Sequence, residues 1–416
     1  MKHQNKEDSA SCLTVDPLEH LCLSTPFRRN AFSESFISSL SSKDKNAPSS
    51  AKAFVAHNAS FLSLLSSDAR VRCLAKDETG NSFAHEAGVW VESLNEVWFT
   101  SNLFCQRPAS ETEGLAKMRV DISAVNVSTG EVRKLHIPQV RAGNGACPYG
   151  RFVLFCDQGG DIEQPSQLIL VDPENPHKAQ NLINNFYGRH FNSLNDVIVL
   201  PPPHGRHAES VQISDDIEFR KEIPRGSTIW FTDPTYGFEQ SFRPAPQLPS
   251  QVYALDPHSG RIKVVADGFD HPNGIAFSPD GSTCYITDTS HIHGTGRLDP
   301  RLQSTIYAFD VVWLGDVHSA GGPSLQNRRV FAFADTGVPD GIKCDVMGNV
   351  YAGCGDGIHV WNPYGTLIGR IVLGAADSNL GAGCANFCFI PGGKLVCFSE
   401  DRVYLVEGLT VEGALL

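Results

Sequence analysis

The chain has 416 residues, 41% of them hydrophobic and 19% charged, with a formal net charge of −12. That balance is globular and excludes wholesale disorder. An acidic chain without a local Lys/Arg cluster repels phosphate backbones and anionic lipid, so neither nucleic acid nor a membrane is an expected partner.

No apolar run approaches bilayer length. The N-terminal stretch, interrupted by Asp16, Glu19 and His20, lacks the apolar centre of an export signal, so a cytoplasmic protein is expected. The 12 cysteines fall mostly singly in apolar runs, as at Cys156, Cys284, Cys344 and Cys397, and read as buried free thiols. Cys384 and Cys388 have neither a second pair nor nearby histidines, which disfavours a zinc site.

In chain order, residues 1–50 are rich in Ser, Lys, Asn and Asp and read as a polar arm, poorly ordered or wrapping. The expected folded domain is residues 51–416. From Phe83 onward, short β-branched and aromatic runs alternate with Gly, Pro, Asp and Asn clusters, and helical periodicity is almost absent. One unit recurs. Its first half is EVWFTSN, TIWFTDP, CYITDT and VYAGCGDG; its second half is ISAVNVSTGEVRKL, LILVDPENPHKAQNL, VYALDPHSGRIKVVA, IYAFDVVWLGDV and IHVWNPYGTLIGRIVL. Copies lie about 50 residues apart, the period of four-stranded propeller blades, apart from one longer interval. An all-β, six-bladed propeller follows, with one blade closed by the two chain ends. The longer interval holds an insertion after Leu200, expected to alter the pocket rim.

In a propeller the inner strands converge on a central channel, so equivalent positions in successive blades meet. Oxygen-bearing side chains recur at one such place: Glu86 in FAHEAGVW, Asn195 in FNSLNDVIVL, Asn273 in HPNGIAFSPDG and Asp340 in VPDGIKCDVMGNV. Two carboxylates and two amides carry a formal charge of about −2 and suit a hard divalent ion, calcium, magnesium or manganese before zinc or copper. Asn-Gly and Asp-Gly are also turn signals, so Asn273 and Asp340 taken singly also read as turn residues.

The segments NSLNDV, WFTDPTYGF, PNGIAFSPDGSTCYITDT and PDGIKCDVMGNVYAGCGDGIHVWNPYG resemble the senescence marker protein/gluconolactonase/luciferin-regenerating family. YGRHFNSLNDV and SFRPAPQLPSQVY are similar to the fungal lactonohydrolases that open aldonate and pantoyl lactones. The likeness runs from about residue 83 to 410. It implies a six-bladed propeller with one divalent cation in the channel, calcium ahead of magnesium, manganese and zinc. It matches Glu86, Asn273 and Asp340 to ligand positions and Asn195 to an amide that binds metal or substrate. Gluconolactonases often carry an arginine before the Asn-Asp pair, where this chain has Asn192, Ser193 and Leu194; lactone chemistry is therefore the firmer implication, and a sugar lactone the weaker.

The expected function is a metal-dependent lactonase acting on a small-molecule lactone, with a place in secondary metabolism, as a monomer or homodimer. Asp340 and Asp196 are the expected acids for moving the water proton, with His85 as a further catalytic candidate, and Asn195 and His271 facing substrate. Both histidines also read as hydrogen-bonding scaffold. No G-x-S-x-G elbow or phosphate loop is present. The competing expectations are a propeller isomerase, cyclase or lyase, and a non-catalytic binding propeller.

Overall fold

The computed structural model describes residues 12–15, 53–110, 114–203, 221–314, 322–373 and 383–414. These residues build six sheets around one axis, a six-bladed propeller, antiparallel throughout except for the parallel pairing of Cys12–Thr14 with Phe54–Ala56. From the axis outward, blade 1 is Glu86–Val91, Glu96–Thr100, Ile122–Asn126 and Val132–Leu135. Blade 2 is Gly143–Tyr149, Phe152–Asp157, Gln167–Asp172 and Asn175–Ile183; blade 3 is Val197–Leu200, Thr228–Asp233, Gln251–Asp256 and Arg261–Ala266. Blade 4 is Pro272–Phe277, Thr283–Asp288, Thr305–Leu314 and Gly322–Phe333. Blade 5, Ile342–Cys344, Val350–Cys354, Gly357–Trp361 and Leu367–Val372, is extended outward by Phe54–Ala56 and then Cys12–Thr14. Blade 6, Asn386–Ile390, Lys394–Ser399 and Arg402–Leu409, receives its outer strand, Leu65–Lys76, from the other end of the chain.

The apolar side chains divide into wedges between neighbouring blades. Trp98 and Ile122 of blade 1 meet Val153 and Phe155 of blade 2; Leu154 of blade 2 meets Phe231 and Tyr253 of blade 3; Phe99 and Val97 of blade 1 meet Phe398 and Val396 of blade 6 and close the ring. Second strands are therefore buried on both faces, as in the unbroken burial of Thr228–Asp233, while an outer strand such as Val132–Leu135 is largely exposed. A fully buried Phe or Ile contributes roughly 1.5–3 kcal/mol, so each wedge ties its two blades firmly and the channel walls are held from behind. The two α-helices among the described residues, Ala59–Leu62 and Tyr236–Glu239, are single turns. Neither is long or apolar enough to cross a membrane.

The insertion after Leu200 joins the C-terminal end of an inner strand to the second strand of blade 3. Its described parts, 201–203 and 221–227, therefore lie at the end of the channel opposite Asn195, not on the rim of the expected site. The sequence could not separate the two ends, because both are loop-rich; residues 204–220 of the insertion, like most of the polar arm, lie outside the described residues.

Candidate active site at the channel mouth

Each inner strand starts at the same end of the channel, and there the structure brings the expected residues together. Glu86 opens the blade 1 strand, Asn195 and Asp196 precede that of blade 3, Asn273 lies in that of blade 4, and Asp340 precedes that of blade 5. Glu86, Asn195, Asp196 and Asn273 are no more than 5% exposed. Asn273 and Asp340 are not turn residues. The glycine after each is required by close approach instead: a Cβ on Gly274 would lie 2.3 Å from the Asp340 carbonyl oxygen, and one on Gly341 2.3 Å from Asn386 Cγ. Gly145 in blade 2 behaves alike, its Cβ falling 2.5 Å from the Asn195 carbonyl oxygen. Successive strands converge so tightly at the mouth that only glycine fits between them.

Oxygens are left free there. Asn195 Oδ1 and Asp340 Oδ1 are buried without a hydrogen-bond partner, and so is Asn144 Oδ1 at the equivalent place in blade 2. Buried oxygens in this condition are rare, because desolvation costs each of them about 1–3 kcal/mol unless something donates or coordinates. Asn144 escaped the sequence reading although its AGNGA context repeats the Asn-Gly pattern of blade 4.

The carboxylates feel one another. Burial, and then the charge of Glu86, push Asp340 well above the usual carboxylate range. Burial likewise raises Glu86 and Asp196, with Lys343 working against both shifts. Glu86 Oε2 accepts a hydrogen bond from Asn386 Nδ2 at 2.8 Å. Both Asp196 oxygens are already engaged, by Val197 N at 2.9 Å and by Ile275 N at 3.2 Å, so this side chain stitches blade 3 to blade 4. His85 donates to Glu400 Oε1 at 2.5 Å; burial opposes its charge, but Glu400 overcomes that and lifts the ring to about 10, while Glu400 falls to about 2.

Recurring aspartates at the ends of the second strands hold the ligand-bearing loops. Asp157 accepts from Ala142 N at 3.1 Å, Asp233 from Asn192 N at 3.0 Å and Ser193 N at 2.8 Å, and Asp288 from His271 N at 3.4 Å. Each clamp lies two or three residues before the amide at its blade's mouth. The TD of WFTDP and YITDT thus has a job that the repeat alone did not disclose. Burial raises Asp233 to about 7 against these donors.

Above the mouth, His271 stacks on Tyr236 with ring centroids 4.6 Å apart, and its Nε2 meets Glu239 Oε1 at 2.6 Å. Glu239 also accepts from Gly294 N at 2.7 Å, and these donors together lower its pKa although burial opposes the shift. The other ring nitrogen of His271, Nδ1, is buried without a hydrogen-bond partner. Arg243, from the FRPAP segment and 2% exposed, donates to the carbonyls of Phe191, Asn192, Gly160 and Gln164 and pins two rim loops.

Among the described residues no three His, Cys, Asp or Glu side chains cluster as a metal centre. The oxygen set fits a hard cation nonetheless, since it combines Glu86 and Asp340 with amide oxygens, two of its atoms are unsatisfied, and soft donors are absent.

Fold and site together define a six-bladed propeller with an oxygen-lined mouth. Residues 220–394, which reach from blade 3 into blade 6, match the SMP-30/Gluconolactonase/LRE-like region. It is 28% identical to lactonohydrolase oryL of Aspergillus oryzae over 69% of this chain and 60% of that protein. It is 26% identical to a gluconolactonase of Zymomonas mobilis over 56% of this chain and 55% of that one. The matched stretches thus span less than two thirds of either curated relative. A gluconolactonase structure from Xanthomonas campestris superposes with a TM-score of 0.58 at 24% identity, covering 85% of this chain and 93% of that one, a likeness of fold.

Proposed function

We propose that the chain is a lactonase that opens a small-molecule lactone with the help of one divalent cation, calcium by preference, held by Glu86, Asn195, Asn273 and Asp340. The observation that carries this reading is the pair of buried, unpartnered oxygens, Asn195 Oδ1 and Asp340 Oδ1, in a mouth with two mutually repelling carboxylates. Similarity to a lactonohydrolase and a gluconolactonase supports the chemistry. When bound, the ion supplies Lewis-acid polarisation of the lactone carbonyl.

The chain's own groups do the rest. Asp340 takes the proton of the attacking water, while Asp196, occupied by two backbone donors, keeps the wall rigid. His271 offers its unpartnered Nδ1 to a polar group of the substrate, and Tyr236 covers the ring from above. His85, locked to Glu400, keeps the start of the blade 1 strand in place beside Glu86.

The test is lactone opening with and without calcium by the wild type, Asp340→Ala and Glu86→Gln. Calcium-dependent hydrolysis that both substitutions abolish is the expected result, and wild-type rates in both variants would sink the site. Ion binding without turnover across a panel of lactones would instead favour an isomerase, cyclase or lyase.

A further inference from the structure

Lys343 is the cation that the reaction as described does not use. It lies three residues beyond Asp340, on the short inner strand Ile342–Cys344 of blade 5. Its neighbours Ile342 and Cys344 pack into the wedge with blade 4, so alternation turns Lys343 toward blade 6. There its Nζ donates to Asn386 Oδ1 at 3.3 Å and stands 5.9 Å from the centre of the Phe387 ring. Asn386 Oδ1 also accepts from Phe387 N at 2.8 Å. With two donors on its oxygen, the amide can present only its NH2 group to the mouth, and that group donates to Glu86 Oε2 at 2.8 Å. A chain of two hydrogen bonds thus runs from the ammonium to the carboxylate.

The charges are equally specific. Glu86 faces Lys343 from blade 1 and Asp196 from blade 3, and the thiols of Cys147 and Cys388 face it from blades 2 and 6; Asp340, which feels the charge of both carboxylates, lies three residues before it in the chain. His85 and Glu400 form a pair of opposite sign and cancel. Three carboxylates and one ammonium leave a formal charge of −2.

We propose that Lys343 is a built-in counter-cation that orients Asn386 toward Glu86 and sets the charge of the mouth, so that the site is matched to a divalent rather than a trivalent ion. This inference rests on the reading of the mouth as a cation site. Removal of a fixed positive charge strengthens the binding of a trivalent ion by half again as much free energy as that of a divalent one, since the Coulomb energy scales with the ion's charge. Selectivity between the two ions is therefore a readout that general loosening of the channel does not move in a fixed direction.

The experiment measures Ca2+ and Tb3+ affinities of the full chain by calorimetry and terbium luminescence, for wild type, Lys343→Met, Lys343→Gln and Lys343→Arg, with far-UV circular dichroism as the check on folding. Lys343→Met should shift the affinity ratio toward Tb3+ by about tenfold or more. Lys343→Gln, which keeps a donor for Asn386 but no charge, should shift it alike and serves should the methionine variant not fold. Lys343→Arg should keep the wild-type ratio. A ratio unchanged in both neutral variants, with both ions still bound, overturns the inference and leaves the cation site standing. A wild-type protein that binds neither ion overturns the site itself and this inference with it.

Discussion

The two ends of the central channel are built from the same six strands and could hardly differ more. At the mouth the strands crowd together, and the space is lined by Glu86, Asn195, Asp196, Asn273 and Asp340, with free oxygens and mutually repelling charges. Beyond it, toward the other end, opens a cavity of about 710 Å³, lined by Val197, Val199, Phe277, Cys147 and Cys388, with Lys343 at its boundary with the mouth, and bordered by Ile223 of the insertion. This open cavity lies away from the unsatisfied oxygens. Size reports where side chains fail to fill a widening ring; reactivity follows unsatisfied polar atoms, which are packed tightly because that is what keeps them unsatisfied.

Three experiments would break or sharpen that contrast. The largest effect is expected from Gly274→Val, whose Cβ would fall 2.3 Å from the Asp340 carbonyl oxygen. Chemical denaturation should show a loss of about 3 kcal/mol, the upper range for overpacking, and calorimetry a weaker ion affinity; a stable variant with normal binding would mean that the strands are not held so close. Next comes chelation. If the ion is at a hundredfold excess over its Kd, EDTA should lower stability by about 2.7 kcal/mol, seen as a fall in Tm, and an identical Tm with and without EDTA would remove the ion from the mouth. The smallest effect belongs to the far end. Ile223→Val, in the insertion, should cost about 1 kcal/mol for the lost methylene, with calcium affinity unchanged; a drop in affinity would show that the two ends are not independent.

Much of this was legible in the sequence, for a physical reason. Blades are repeats, so EVWFT, TIWFTD, CYITD and VYAGC announced second strands buried on both faces, and the residues just before each inner strand had to converge. Glu86, Asn195, Asn273 and Asp340 were found in this way. What escaped were residues whose roles depend on contacts across blades. Asn386 meets Glu86 across 300 positions, and Glu239 meets His271 from a single-turn helix in another blade's rim. Arg243 sits in a segment that was noticed only for its likeness to other proteins, yet it works by collecting carbonyls from loops 50 to 80 residues upstream. The insertion after Leu200 was assigned to the rim because an unpaired loop carries no mark of which end of a strand it leaves.

The strand Leu65–Lys76, which completes blade 6 by pairing with Arg402–Leu409, has a consequence for the order of assembly. During synthesis the early blades can stack on one another as they emerge, but this strand must wait, unpaired, until almost the whole chain has been made. Glu86 waits with it, since its partner Asn386 arrives equally late. Contacts of such long sequence separation form slowly. The oxygen-lined mouth therefore comes into existence in a single late event, ring closure, and a nascent chain halted before blade 6 would hold most of the fold and none of the complete site.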